Sequence, residues 1–216
     1  MALQVKFGAS TWLWTSPFNT AAIEELFPKI SAMGFDVVEI AVEDPAVIDC
    51  QKLVEGLRAH NLEPVICGAF GPSRDLTHDD EKVHQHCFQY IDACFDICNA
   101  VGATFLAGPM YSAVGKARMV PPEQRRKEWE LAVKNIRKVC EMADRKGLMI
   151  ALEPLNRFES DLVNNVDDVL RLINDVDHPA ARVALDGFHM NIEEPDIVKA
   201  FTKTGSKLIH VQVSEN

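Results

Sequence analysis

The sequence predicts an α/β fold, a (β/α)8 barrel of the TIM type, from three observations. Strand-like and helix-like patterns alternate along the whole chain, which calls for right-handed crossovers and one parallel sheet. Polar side chains recur at the ends of several strands, as they do around the mouth of a barrel enzyme. A doubly wound sheet, the competing parallel architecture, should carry a glycine-rich phosphate loop after its first strand, and GASTWLW has none.

Taken in order, Val5–Ser10 reads as the first strand, followed by a loop with Trp12, Trp14, Ser16 and Pro17. Asn19 can cap a helix whose apolar residues Ile23, Leu26, Phe27 and Ile30 recur at helical spacing and end near Gly34. Val37–Val42 is the second strand, with Val38, Ile40 and Val42 toward the helices and Glu39, Ala41 and Glu43 inside. A helix from about Ala46 to His60 leads to a third strand, Glu63–Cys67, and a long loop, Ala69–His78, holding Arg74 and Asp75. The next helix, about Asp80 to Val101, precedes the strand Thr104–Ala107 and a mouth loop of Gly108, Pro109, Met110 and Tyr111. Pro121 and Pro122 open a long helix that Gly147 closes.

The fifth strand opens the central stretch, IALEPLNRFE, at Ile150–Glu159. Side chains alternate in a strand, so Ile150 and Leu152 face one way while Met149, Ala151 and Glu153 face the other. Pro154 cannot donate to a ladder. The strand therefore stops with Glu153 at its end, and Asn156, Arg157 and Glu159 turn over the mouth. A helix near Val166–Val176 follows, then Val183–Asp186, where Ala184 and Asp186 share a face and Gly187, Phe188 and His189 form the loop. After a helix near Pro195–Thr204, Leu208–Ser214 puts Leu208, His210, Gln212 and Ser214 on one face. Seven strands are expected in a single barrel domain over residues 1–216. A last helix, an eighth strand and a final helix are expected to lie outside this sequence, because a seven-stranded arc would leave two unpaired edges.

Glu153, Asp186, His210 and Gln212 thus converge from separate strands. Oxygen and imidazole ligands on rigid supports are what a hard or borderline divalent cation requires. The competing reading of each acid is a helix-capping or salt-bridging carboxylate, and of each histidine a buried, hydrogen-bonded residue.

The 216 residues carry a formal charge of -10, with 47% hydrophobic residues. That balance argues against a nucleic-acid partner, which wants a basic stripe. No apolar run suits a membrane span, so neither nucleic acid nor membrane is expected as a partner, cytoplasmic residence is the default, and a homo-oligomer remains allowed. The six cysteines form no C-x-x-C pair and are read as free thiols, which makes structural zinc a poor fit.

E-P-L-N-R-F-E at 153–159, D-G-F-H at 186–189 and H-V-Q-V-S-E-N at 210–216 resemble the sugar isomerase and ketose 3-epimerase superfamily, the D-tagatose/D-psicose 3-epimerase group in particular. GFDVVEI and the GAT-x-x-x-GP pattern at 102–109 extend the resemblance over the chain. The resemblance implies an isomerase of carbohydrate metabolism with a divalent metal, manganese foremost, with magnesium, cobalt and zinc as alternatives. It implies metal ligands at Glu153 and Asp186. Gln212 takes the third position, where the epimerases have histidine and the hydroxypyruvate isomerase branch has glutamine. The fourth ligand would sit on the eighth strand.

Glu153 is then the catalytic carboxylate, moving a proton through a metal-bound cis-enediolate of a small sugar. Glu159 and His189 are implied to hold substrate hydroxyls, and Arg157, Trp14, Cys67, Tyr111 and His210 join them as expected substrate-binding residues. Trp12, Trp14 and Tyr111 could pave an apolar sugar face, although aromatic residues at a mouth are frequently just packing; Cys67 by itself is most simply a small buried hydrophobe. The alternatives are a hydroxypyruvate-type isomerase of a small keto acid, favoured by Gln212, and a non-catalytic sugar-binding barrel.

Overall fold

The structure, a computed structural model, describes residues 5–214. Seven strands follow one another in chain order in one sheet, alternating with helices as the sequence predicts. An eighth strand is not among the described residues. The chain divides into two compact units, one running to Ala69 with Ala93–Leu106, the other comprising Phe70–Asp92 and Ala107 onward.

In the first unit β1 is Gly8–Ser10, shorter than predicted. The Phe7 carbonyl still accepts the Asp36 and Val37 amides, but the Phe7 side chain is 68% exposed, so the inward alternation fails before Gly8. A 3-10 turn over Thr11–Leu13 follows. Asn19 accepts the Ala21 amide and caps a 3-10 turn that runs into α1, Ile23–Ala32, whose four predicted apolar residues are all buried. Gly34 ends it at φ +86°, a conformation that costs glycine little.

β2 is Val37–Val42, as predicted. The expected helix over 46–60 is broken. A 3-10 turn, Pro45–Val47, is capped by Asp44, and α2, Cys50–Ala59, starts at a second aspartate cap, Asp49, with Ile48 extended between them. β3, Glu63–Gly68, pairs in parallel with β2, which pairs with β1. α3, Glu81–Val101, and β4, Phe105–Gly108, run from one unit into the other.

The second unit continues with α4, Pro122–Arg145; β5, Met149–Leu152; α5, Val166–Val176; and β6, Ala181–Asp186. Ile150, Ala151 and Leu152 are all fully buried, as a parallel strand covered on both faces should be. The predicted loop at 187–189 is instead the first turn of a short helix, α6, Gly187–Glu193. The reason is local: Asp186 accepts the Phe188 amide at 2.9 Å and serves as the helix's own N-cap. α7, Ile197–Thr204, leads to β7, Leu208–Gln212.

β5, β6 and β7 are parallel neighbours, but the β6–β7 register shifts. Val183 pairs with Leu208 and Ala184 with His210, leaving Ile209 as an extra residue. Downstream of this bulge Asp186 pairs with Gln212, so His210 and Gln212 keep the face predicted for them, while Leu208 is carried to the other. None of the six cysteines is joined in a disulfide. Among the described residues no helix is long and apolar enough to cross a membrane.

Candidate active site

Within the second unit the ends of β5 and β6 bring three groups together. One ligand atom each from Glu153, Asp186 and His189 lies within 4.8 Å of the others. Glu153 directly follows β5 and is 6% exposed. Asp186 is the last residue of β6, and its Oδ1 accepts the Phe188 amide and the Ser214 hydroxyl, both at 2.9 Å. His189, one turn into α6, sets Nε2 3.6 Å from Glu153 Oε1. Burial pushes its imidazole pKa down, and the carboxylates of Asp186, Glu159 and Glu193 only partly oppose that. Two converging carboxylates beside an imidazole fit a divalent cation by their chemistry.

The loop after β5 is tied down at each step. Asn156, buried, donates from Nδ2 to Glu159 Oε1 at 2.9 Å and to His189 Nδ1 at 2.8 Å. Arg157 grips Glu193 through its backbone amide, Nε and Nη2 at 2.7, 2.9 and 2.8 Å. That pairing holds Glu193 below the usual carboxylate range. The Gly115 amide donates to the Glu159 carbonyl at 2.8 Å, and Lys116 bridges in parallel to Ser160.

Lys116 is also the hub of a buried charge network. Its Nζ meets Asp75 Oδ2 at 2.8 Å, Thr77 Oγ1 at 2.7 Å and Glu128 Oε1 at 3.5 Å. Arg118 continues it from Glu128 to Asp161, which Arg125 also pairs. Burial raises the pKa values of Asp75 and Glu128, but the ammonium, guanidinium and hydrogen-bond donors around them outweigh it and hold both low.

The expected site residues therefore fall into distinct places. Glu153, Asp186, His189, Glu159 and Asn156 form one connected group. Gln212 is the register partner of Asp186, and His210 lies one layer deeper, opposite Ala184. Tyr111 does not sit on a surface: it is fully buried, and its one hydroxyl proton is shared between the carbonyls of Glu153 and Val163, at 2.9 and 3.1 Å. Burial and the nearby Glu153 carboxylate raise its pKa. Tyr111 thus supports the end of β5 and offers a sugar no face. Arg157 has its guanidinium engaged by Glu193, so it clamps the loop to α6.

Trp14 and Cys67 belong to the first unit. Trp14 has Lys29 Nζ 4.9 Å above its ring, and Cys67 is buried in β3. Sequence reasoning turns Glu43 inward there but gives it no role. Immediately after β2, it accepts Trp12 Nε1 at 2.8 Å, Ser16 Oγ at 2.6 Å and the Phe18 amide at 3.0 Å, binding the whole loop that carries Trp14. The signal was available: an acid following a strand, the same cue that singled out Glu153. Lys116 offered no such cue.

Residues 27–216 match the family described as xylose isomerase-like TIM barrel. A probable ketose 3-epimerase from Synechocystis sp. is 31% identical over 96% of this chain and 71% of its own. An L-ribulose 3-epimerase from Methylomonas sp. is 27% identical, over 99% and 73%. A solved D-allulose 3-epimerase from Methylomonas sp., in complex with D-allulose, superposes with a TM-score of 0.90 at 27% identity, over 98% of this chain and 72% of that one. With the family match spanning all but the first strand and part of α1, the chain belongs to the xylose isomerase-like TIM barrel family.

Proposed function

We propose that this protein is a divalent-metal-dependent ketose 3-epimerase, an isomerase acting on a small sugar. The observation that carries this reading is the convergence of Glu153 and Asp186, at the ends of neighbouring strands, with His189 of α6, in a chain whose relatives are named as ketose 3-epimerases. Glu153, Asp186 and Gln212 would hold the ion, for which manganese is the first choice. When bound, such an ion polarises a ketose carbonyl and its neighbouring hydroxyl and acidifies the C–H between them.

Glu153 takes that proton, leaving an enediolate. Its near-complete burial keeps bulk water from competing for the proton. Glu159 and His189 hold the sugar's hydroxyls and keep the carbon in reach of Glu153. Epimerisation needs the proton returned to the opposite face, so a second acid must stand across the sugar; by resemblance it belongs to an eighth strand.

The keto-acid reading rests on Gln212, the register partner of Asp186. A carboxylate substrate calls for a free arginine or lysine, whereas Arg157, the one cation in the motif, is already held bidentately by Glu193. The sugar reading is therefore preferred. The test is C–H to deuterium exchange by the manganese-loaded protein, with ketoses and hydroxypyruvate offered in parallel. Ketose exchange that disappears in Glu153→Gln, with circular dichroism unchanged, is the expected result. Exchange of hydroxypyruvate alone, or full activity in the variant, would overturn it.

A further inference from the structure

Asn156 opens the loop after β5 and is only 2% exposed. Its Oδ1 accepts the Phe158 amide at 2.9 Å, which fixes the way the carboxamide faces. The two Nδ2 hydrogens are then available to Glu159 Oε1 at 2.9 Å and His189 Nδ1 at 2.8 Å. The backbone N–H of the same residue also reaches His189 Nδ1, at 3.2 Å. A ring nitrogen that faces two N–H donors must present its lone pair, so a neutral ring carries its proton on the other nitrogen. That nitrogen is Nε2, the one 3.6 Å from Glu153 Oε1.

We propose that Asn156 is a positioning residue: it yokes Glu159 to His189 and fixes His189 as the Nε2–H tautomer. His189 therefore meets an oxygen of the ligand as a hydrogen-bond donor and does not ligate the cation, since ligation at Nε2 needs a bare nitrogen. Of the three groups in the cluster only the two carboxylates are left for an ion. The third ligand then falls to Gln212, and the donor N–H is aimed at a carbonyl or alkoxide oxygen of a polyhydroxy substrate. The inference rests on the substrate roles proposed above for Glu159 and His189, but the tautomer does not depend on them.

The test is two-bond 15N–1H correlation NMR on metal-free protein at about pH 8, above the ordinary histidine range, with His189 assigned by comparison with His189→Gln. The expected spectrum of the parent shows Nε2 protonated and Nδ1 bare. Asn156→Asp keeps the shape but puts an oxygen where Nδ2 stood. The carboxylate oxygen, at the 2.8 Å place of Nδ2 and so nearer than the backbone N–H retained at 3.2 Å, should draw a proton onto His189 Nδ1, and deuterium exchange into ketose should fall on the order of 100-fold, the scale of a misplaced catalytic contact.

A parent ring protonated on Nδ1 overturns the proposal without recourse to any variant. So does a folded Asn156→Asp protein whose His189 pattern matches the parent's. An Nε2–H spectrum from a protein that exchanges no ketose would leave the yoke standing and remove the epimerase reading, so the two failures are told apart.

Discussion

Replacing Lys116 with methionine removes the positive centre of a buried network and keeps most of the side chain's volume. The ammonium is close to Asp75, Thr77 and Glu128, and the two carboxylate side chains are only 5% and 2% exposed. Breaking a buried ion pair on one side costs about 3–5 kcal/mol when the remaining charge is stranded. Here it is not fully stranded. Asp75 keeps two donors from Thr77, and Glu128 keeps Arg118 and Gln124, so about 2–3 kcal/mol is the expected loss, at or just below the lower bound of that range. In a chain of this size that corresponds to a Tm lower by about 5–10 °C.

The pH dependence has a definite sign. Asp75 and Glu128 have folded pKa values below their unfolded ones, so their contribution is fully present above the ordinary carboxylate range. It is lost as pH falls through the folded values. The Tm gap between parent and Lys116→Met should thus be widest near neutrality and should close below about pH 4. Differential scanning calorimetry across that range measures it. A gap below about 1 °C at pH 7, or one that widens in acid, would refute the reasoning.

Asp186→Asn should weaken manganese binding by calorimetry by at least on the order of 100-fold, the upper end of what losing only an outer-shell partner costs. α6 should survive that change, because asparagine caps helices as well as aspartate does; loss of helix signal would sink the separation of the two roles. Glu43→Ala strips three hydrogen bonds from the loop over 12–18. It should cost about 1 kcal/mol in urea unfolding and red-shift tryptophan emission, whereas an unchanged spectrum would mean the loop holds itself.

Much of the architecture was readable because it rests on short-range chemistry. β2 and α5 have their predicted bounds, and α5 begins where Asn165 accepts the Asp168 amide. Glu153 and Asp186 were legible because strand alternation and a following proline or glycine are local signals. Asp186 reads from the sequence as either a ligand or a helix cap, with nothing local to decide between them, so the helix that it starts is misread as a loop. The bulge at Ile209 and the pairing of Lys116 with Asp75, 41 residues away, depend on what the sheet and loops place side by side. Neither leaves a periodic trace. Tyr111 looked like a surface aromatic and is a buried strut, since side-chain type alone does not reveal which carbonyls need a donor.

The two oxygens of Asp186 have separate employment. Oδ1 is occupied by Phe188 and Ser214, so the carboxylate is oriented by the fold whether or not anything is attached to Oδ2. A cation arriving there would find its anchor already aimed, and one departing would unravel no helix. Loading and unloading should therefore be reversible steps on a finished scaffold, with chelation sparing the fold that the protein needs to be recharged.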